Sequence, residues 1–244
     1  ASAGSDTRVK NLASVLRGRG LLDLGLADQA AAAVASVPTA FSYTTLHSLN
    51  SDYQKNGFQD YMNSNDGILV SDREGGNGLN FATAKDPRVP VTGDGSPSAF
   101  DKQTPRWYYA NATSFTSPMP IVTGVEARLI EAEAALKANN ISLWLAKLND
   151  ARSPWGMAAV TDPGTATGRV DLMFRERAFA LFASGHRLGD LRRLVRQYGR
   201  GTETVYPTGA YHKDGLQLGT DAQFIIPLTE KNNPKFTGCI DRNP

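Results

Sequence analysis

The chain has 244 residues, of which 41% are hydrophobic and 20% are charged. This length and balance predict a globular protein that can enclose a hydrophobic core, and they argue against a chain that is disordered throughout. With 26 basic and 24 acidic residues the formal net charge is only +2, so the overall charge does not favour nucleic acid as a partner.

The first predicted element is a helix hairpin over residues 6–37. Apolar side chains recur at helical spacing from Val9 to Leu16 and again from Leu26 to Val37, and a glycine-marked segment over residues 18–25 predicts the turn between them. The apolar stripe that ends at Leu16 is expected to face the core. Pro38 disfavours helical geometry in the preceding residue and therefore predicts the end of the hairpin.

Residues 39–124 form a loop-rich insert in which the helical periodicity fades. Glycine, proline, asparagine and serine are frequent, as in residues 63–67 and 93–97, so the sequence predicts irregular loops and a few short strands. An irregular segment of this length inside a globular chain more often has a function than serves only as a connection. We therefore expect the insert to carry the binding function.

Helical periodicity returns in two further hairpins, over residues 125–153 and 170–198, and an irregular tail over residues 199–244 follows them. Three hairpins of similar size suggest stacked pairs of the TPR type, although no strict repeat motif is present. The predicted fold class is therefore mainly α, with stacked helix hairpins, long irregular loops and a few short strands. We expect the whole chain, residues 1–244, to form one domain.

The sequence contains no arrangement that is typical of an enzyme. Its three histidines, His47, His186 and His212, accompany no Gly-x-Ser-x-Gly elbow, no paired cysteines and no His-Glu-x-x-His motif. Because it follows Gly185 at the predicted start of a helix, His186 is expected to be a surface or capping residue. The chain is predicted to be non-enzymatic, with no catalytic residue, no metal site and no cofactor.

The densest charge cluster lies between Arg175 and Arg200. With about 100° of rotation per helical residue, Arg177 and Arg187 fall inside or beside the apolar stripes, so both are expected to be partly buried and paired. The predicted ion-pair network joins these two arginines to three carboxylates: Glu133, Glu176 and Asp190. Arg192 and Arg193 are expected to point away, near the end of a helix where the dipole favours positive charge. A phosphate or nucleic-acid patch is the alternative interpretation of the cluster.

Aromatic side chains in the insert are the best candidates for ligand binding. Those outside the helical stripes are Tyr43, Tyr53, Phe58, Tyr61, Trp107, Tyr108 and Tyr109. Flat rings with a polar edge stack well on sugars and on hydrophobic ligands, because they bury a large area at low entropic cost. The candidate ligand-binding residues are Tyr53, Trp107, Tyr108 and Tyr109. The alternative is that residues 107–109 form a strand whose alternate rings enter the core.

Three segments in the later part of the chain carry a resemblance to a known family. Residues 126–134, EARLIEAEA, are similar to a family helix of the form Arg-Leu-x-Glu-Ala-Glu-Ala. Residues 174–193 are similar to a signature that contains Glu-Arg, Glu-Gly-x-Arg and Asp-Leu-x-Arg, with Ser184 in place of the glutamate before the glycine. Residues 226–230 and 233–234 resemble closing Ile-Pro-x-x-Glu and Asn-Pro elements. In this order the motifs resemble the SusD/RagB family of nutrient-binding proteins.

The resemblance implies a helical scaffold that binds rather than catalyses. Members of the family are surface lipoproteins that cap a SusC-like, TonB-dependent transporter and capture glycans or other oligomeric nutrients. We therefore expect an exported protein, peripheral to the outer membrane or in the periplasm, with such a transporter as its partner and an oligosaccharide as its ligand. The sequence has no run of about 18 apolar residues and predicts no transmembrane segment. The alternative function is that of a structural accessory subunit in a different membrane-associated complex.

Overall fold

The computed structural model describes residues 5–63, 66–219, 222 and 226–237. Helices dominate this part of the chain and its strands are short, so the predicted mainly α fold class is confirmed. The helices are α1 (Thr7–Asp23), α2 (Ala27–Val34), α3 (Gly57–Asn63), α4 (Gly124–Lys137), α5 (Ile141–Arg152), α6 (Ala166–Ala180), α7 (Arg187–Tyr198), α8 (Thr202–Val205) and α9 (Leu228–Lys231). The strands are β1 (Ser42–Thr45), β2 (Val91–Thr92), β3 (Tyr108–Tyr109) and β4 (Met119–Thr123).

The first helix pair, α1 and α2, has its turn later than the sequence predicted. α1 continues through Gly18 to Asp23, and the chain reverses near Gly25, whose φ of +79° is left-handed. Gly18 lies inside α1, at the contact between α1 and α2, where a Cβ would be 2.5 Å from Cγ1 of Val34. The missing side chain lets the two helices approach closely. The predicted buried stripe is also shifted, since Leu16 is 43% exposed.

Helix α4 lies at the centre of the scaffold, in contact with α1, α2, α5 and α6. Thr123 caps its start, because the Thr123 side chain accepts a hydrogen bond from the backbone N–H of Glu126. Most of the helix is buried, including the charged side chains of Glu126, Arg128 and Glu133. A buried charge is stable only when it is paired, so the neighbouring elements must supply partners for α4.

The second and third hairpins occupy nearly the spans that the sequence predicted. Helices α4 and α5 form the second, and α6 and α7 form the third. α6 begins at Ala166, a few residues before the predicted start at 170, because the Thr165 side chain accepts a hydrogen bond from the backbone N–H of Gly168. The largest apolar core lies among these four helices and includes the fully buried Trp144.

The described part of the insert contains α3 and two small antiparallel sheets. Strands β1 and β4 pair with Ser42 opposite Thr123, and strands β2 and β3 pair with Val91 opposite Tyr109. The apolar core of the insert packs against α6 through Phe179. The described part of the insert therefore contains little regular secondary structure and packs on the helical scaffold.

The tail after residue 199 is irregular apart from the short helices α8 and α9. Cys239, the single cysteine of the sequence, lies outside the described residues. Within the described part of the chain, no helix combines the length and the hydropathy that a membrane span requires.

Candidate ligand-binding site

A cavity of about 640 Å³ lies between the insert and the tail. We call it the aromatic cavity because five rings line it: those of Tyr61, Phe100, Trp107 and Tyr211, and the imidazole of His212. Tyr61 and Phe100 are largely exposed, so their rings are accessible to a ligand. A volume of this size is typical of pockets that hold small molecules.

Trp107 is held in the wall of the aromatic cavity by its neighbours in the insert. Its backbone oxygen accepts a hydrogen bond from the N–H of Val70 at 2.7 Å. The indole lies close to Gly95, where φ is +70° and a Cβ would be 2.6 Å from Cζ2 of the ring. The ring packs partly against the insert core and remains half-buried. A ring that is already positioned binds a ligand at a lower entropic cost than a mobile one.

Tyr211 enters the aromatic cavity from a hairpin-like loop of the tail. Asp214 and Gly215 form its turn, with left-handed φ values of +60° and +65°, as expected of a tight two-residue turn. The Gln103 side chain ties this turn to the insert. Its Nε2 donates to Oδ1 of Asp214 at 2.7 Å, and its Oε1 accepts from the backbone N–H of Asp214 at 2.9 Å. The tail thus forms one wall of the cavity.

Two carboxylates of the aromatic cavity are held ionised by donors of the protein itself. Oδ1 of Asp66 accepts a hydrogen bond from the hydroxyl of Tyr108 at 2.6 Å, and Oδ2 accepts one from Ser98 at 2.7 Å. These hydrogen bonds lower the pKa of Asp66 below its ordinary value. The side-chain and backbone hydrogen bonds of Thr104 act in the same direction on the pKa of Asp101. Ionised carboxylates in fixed positions are good acceptors for ligand hydroxyl groups.

Of the four predicted ligand-binding residues, only Trp107 lines the aromatic cavity. Tyr53 is fully exposed in a single 3-10 turn, Asp52–Gln54, and does not line this cavity. Tyr109 is buried in the core of the insert, because the side chains of adjacent strand residues point to opposite faces. Tyr108 binds Asp66 through its hydroxyl and borders a separate cavity. The alternative interpretation, a strand with a ring in the core, therefore describes Tyr109.

Four rings of the aromatic cavity are absent from the predicted ligand-binding set: Tyr61, Phe100, Tyr211 and the imidazole of His212. Tyr211 belongs to the tail and is distant in sequence from Trp107, so no local pattern links the two. The dipeptide Asp214-Gly215 is the one available signal, because it favours a tight turn and places Tyr211 on the arm of a hairpin.

A buried ion-pair network joins α4, α6 and α7. Nε and Nη2 of Arg177 donate to Asp190 at 2.9 and 2.8 Å. Arg193 donates to Asp190 at 2.8 Å and also to Glu133, which accepts a further hydrogen bond from the Tyr198 hydroxyl at 2.8 Å. The structure thus brings together three predicted members, Glu133, Arg177 and Asp190. Arg193 was predicted to point away, and this prediction is wrong, since its side chain is buried.

Glu176 belongs to a separate buried cluster rather than to the predicted single network. Its Oε2 accepts hydrogen bonds from Nη1 of Arg88 and from Nη1 of Arg152, both at 2.6 Å. Arg88 also pairs with Asp86 at 2.7 Å. Because Arg88 lies in the insert and Arg152 at the end of α5, this cluster fastens the insert to two helices of the scaffold. Neither arginine could be assigned from helical spacing, since the contacts join distant segments.

Arg187 was predicted to be a paired member of the network, and the structure corrects this prediction. It is the first residue of α7 and is half-buried, but it makes no ion pair with the described residues. Asp190 instead binds Arg177 and Arg193. Burial lowers the pKa of Arg187, and the more distant charge of Asp190 only partly opposes this shift.

Replacement of Arg187 with alanine is therefore expected to lower the free energy of unfolding by about 1 kcal/mol or less, through lost contacts of its aliphatic stem. Urea denaturation of the variant and the wild type measures this difference. Arg193→Ala is the matched comparison, because it removes a buried partner of Asp190 and should cost far more. Equal losses of stability for the two variants would contradict the conclusion that Arg193, and not Arg187, is the buried partner of Asp190.

His186 was expected to lie at the surface or to act as a cap, but it is buried beneath α1 and α4. Its Nε2 lies 3.0 Å from Oε1 of Glu126, and its Nδ1 lies 2.8 Å from Oγ of Ser184. Arg19 binds both oxygens of Glu126, at 2.7 and 2.8 Å. The Ser184 hydroxyl donates to the backbone oxygen of Leu181, whereas an activated nucleophile would donate to the imidazole. This cluster fixes the start of α7 against α1 and α4.

Among the described residues, no group of three or more histidine, cysteine, aspartate or glutamate side chains is placed to hold a metal ion. The aromatic cavity is lined by rings, carboxylates, hydroxyl groups and two basic side chains, Arg73 and Lys213, which suit recognition of a polar organic ligand. No protein-family model matches the sequence. No curated protein and no solved structure matches it either.

Proposed function

We propose that this protein is a non-catalytic binding protein of the SusD/RagB type, which captures a glycan or another oligomeric nutrient for a TonB-dependent transporter. On this proposal the protein is exported and acts at the outer membrane or in the periplasm. The observation that carries the proposal is the aromatic cavity, in which rings from the insert and the tail meet fixed carboxylates. Stacking surfaces combined with charged acceptors are what a hydroxyl-rich ligand requires.

The position of the family-like motifs supports the same proposal. Residues 126–134 lie in α4, and residues 174–193 include the C-terminal half of α6 and the first part of α7. These helices form the scaffold, while the aromatic cavity lies among the irregular segments that the scaffold supports. Motifs in scaffold helices determine the fold, whereas the loops determine which ligand is bound.

The partner is tested by affinity purification of the protein from its native membranes, followed by mass spectrometry of the proteins that accompany it. The proposal expects recovery of a TonB-dependent transporter. Consistent recovery of a different membrane complex without a transporter would contradict it. A crosslinking step before solubilisation guards against loss of a weak complex.

Substitution of the cavity rings tests ligand binding. Trp107→Ala is expected to weaken the binding of a recognised oligosaccharide by about 30-fold, because truncation of a central aromatic contact commonly costs about 2 kcal/mol. Calorimetric titration against a panel of neutral oligosaccharides measures the affinity. Phe100→Ala removes a largely exposed ring and should weaken binding with little effect on the melting temperature.

Tyr53→Ala is the matched control for these ring substitutions, because Tyr53 is fully exposed and does not line the aromatic cavity. Its affinity should equal that of the wild type. If Tyr53→Ala weakened binding as much as Trp107→Ala and Phe100→Ala did, the cavity would not be the binding site.

A structural accessory subunit of another membrane-associated complex is the second candidate function. It is favoured by three large apolar or aromatic side chains that are strongly exposed within one short segment of the insert: Leu46, Leu49 and Tyr53. Exposed apolar groups of this kind often mark a protein contact. The purification from native membranes distinguishes the two candidates, because only the first expects a TonB-dependent transporter.

A further inference from the structure

The aromatic cavity carries an excess of negative charge. Its lining contains four carboxylates and two basic side chains: Asp66, Asp72, Glu74 and Asp101, and Arg73 and Lys213. Lys213 pairs with Asp101, with its Nζ 2.9 Å from Oδ2, so this pair contributes no net charge. Three carboxylates then remain against the single charge of Arg73. A ligand that enters the cavity therefore meets a negative electrostatic potential.

Hydrogen bonds from neutral groups hold two of these carboxylates in place without cancelling their charge. Asp66 accepts from the hydroxyls of Tyr108 and Ser98 and from one backbone N–H. Both oxygens of Asp72 accept from the Thr83 hydroxyl, at 3.2 and 3.0 Å, and two backbone N–H groups also donate to Oδ1. Neither carboxylate makes an ion pair with a described residue. Their charge can therefore attract a cation across the cavity, although most of their lone pairs are occupied.

Glu74 and Arg73 are the two charged residues of the lining whose side chains have no partner among the described residues, and both are exposed. The backbone around them is fixed. The N–H of Arg73 donates to the backbone oxygen of Leu79 at 2.8 Å, and Gly75 packs so closely on the tail that a Cβ would overlap the backbone oxygen of Thr208. Glu74 is therefore a carboxylate with free acceptor positions at the edge of the cavity, where it can bind an ammonium group directly.

The rings of the cavity favour a cation for a second, independent reason. The face of an aromatic ring is electronegative and attracts a cation that lies within about 6 Å of the ring centre, most strongly for tryptophan. Trp107 is positioned in the wall, and Tyr61, Phe100 and Tyr211 line the same space. Within the described part of the chain, the cation–π contacts of the protein's own arginines and lysines involve other rings. The faces in the cavity are therefore available to a cation from a ligand.

We infer that the ligand of the aromatic cavity is a cationic oligomer of amino sugars, whose ammonium groups lie among the rings and the carboxylates. The inference rests on the proposed function and adds to it the charge of the ligand. An amino sugar combines an apolar face, which stacks on the rings, with an ammonium group, which Glu74 binds. Asp66 and Asp72 attract the same group through their uncompensated charge, and Arg73 opposes it.

The test is calorimetric titration with two tetramers of equal length that differ in charge, those of glucosamine and of N-acetylglucosamine. In mildly acidic buffer the first carries ammonium groups and the second is neutral. The wild type should bind the charged tetramer about tenfold more tightly than the neutral one. Added salt should weaken the binding of the charged tetramer and leave that of the neutral tetramer nearly unchanged, because salt screens the interaction between accessible charges.

Two variants at neighbouring positions should act in opposite directions. Glu74→Gln removes a negative charge and should weaken binding of the charged tetramer about threefold, whereas Arg73→Gln removes a positive charge and should strengthen it by a similar factor. Neither should change the melting temperature, because both side chains are exposed. Asp28→Asn is the matched control, since it removes an exposed charge of α2 that does not line the cavity, and it should leave both affinities unchanged.

Equal affinities for the two tetramers, or tighter binding of the neutral one, would overturn the inference and leave glycan capture intact. The same conclusion would follow if Glu74→Gln and Arg73→Gln both left binding of the charged tetramer unchanged. Tighter binding of a lysine tetramer than of the glucosamine tetramer would also overturn it, because a basic peptide would then be the ligand. Absence of binding by every oligosaccharide, charged or neutral, would overturn the proposed glycan capture and this inference together.

Discussion

Replacing Asp190 with alanine is expected to lower the free energy of unfolding by about 3 to 5 kcal/mol, because it leaves two buried guanidinium groups without their shared acceptor. Asp190 accepts hydrogen bonds from Arg177 and Arg193, and all three side chains are almost completely buried. Arg193 keeps Glu133 and, at 3.3 Å from its Nε, the partly exposed Asp23, but the closest approach of Glu133 to Arg177 is only 3.8 Å. Urea denaturation, followed by circular dichroism, measures the loss.

The effect of Asp190→Ala should depend on pH in a defined direction. Burial by itself would raise the pKa of Asp190, but Arg177 and Arg193 outweigh it and hold this pKa below its ordinary value. The contribution of an ionised, stabilised carboxylate is complete above its unfolded-state pKa of about 4 and is lost as the pH falls through the lower folded-state pKa. The stability difference between wild type and variant should therefore be largest near neutral pH and shrink below about pH 4.

Asp171→Ala is the matched control for this experiment. Asp171 lies in α6 and pairs with Arg200 at 2.8 Å, but its side chain is 63% exposed. An exposed ion pair contributes about 1 kcal/mol or less. Equal losses for Asp190→Ala and Asp171→Ala would show that the buried network does not stabilise the helix packing.

Glu176→Gln is expected to destabilise the protein by about 3 kcal/mol, since the amide keeps the shape of the side chain but leaves the buried Arg152 without an acid. Arg88 keeps Asp86 as a partner, so most of the loss of stability should come from the unpaired Arg152. Because Glu176 links the insert to the scaffold, the insert should also open more often than the helices do. Amide hydrogen exchange, resolved by segment, should show faster exchange over residues 66–110 than over α4.

Glu203→Gln serves as the control for this substitution, because Glu203 is exposed in α8. It should leave both the denaturation midpoint and the exchange pattern unchanged. If Glu176→Gln destabilised all segments equally, the cluster would support the scaffold as a whole and would not act as a specific anchor of the insert.

The helical hairpins could be predicted because their signals are local. Apolar residues at helical spacing are sufficient to predict α4 and α6, whereas the cap Thr165, which places the start of α6 before residue 170, is not part of that apolar pattern. The predicted turn after α1 began too early, at residue 18, because glycine in a sequence usually indicates a turn. The actual role of Gly18 depends on Val34, which becomes its neighbour only after the two helices pack.

The ion pairs likewise show that a local sequence pattern does not identify the partners of a charged residue. Helical spacing was enough to predict that Arg177 is buried and paired, but it selected Arg187 rather than Arg193 as the second arginine. The rotation of α7 about its own axis, set by its packing against α4 and α6, decides which of the two is buried. Arg88 and Arg152 are partners of Glu176 only because the insert folds back on the scaffold.

By itself, the sequence determined the mainly α class and the approximate spans of three hairpins, because periodicity, capping and composition act over a few neighbouring residues. Only the tertiary structure decided which rings share a cavity. Tyr61, Phe100 and Tyr211 come from separate segments, and contacts such as Gln103 with Asp214 bring them together. Such contacts depend on the balance of burial and hydrogen bonding over the whole chain, which no local pattern records.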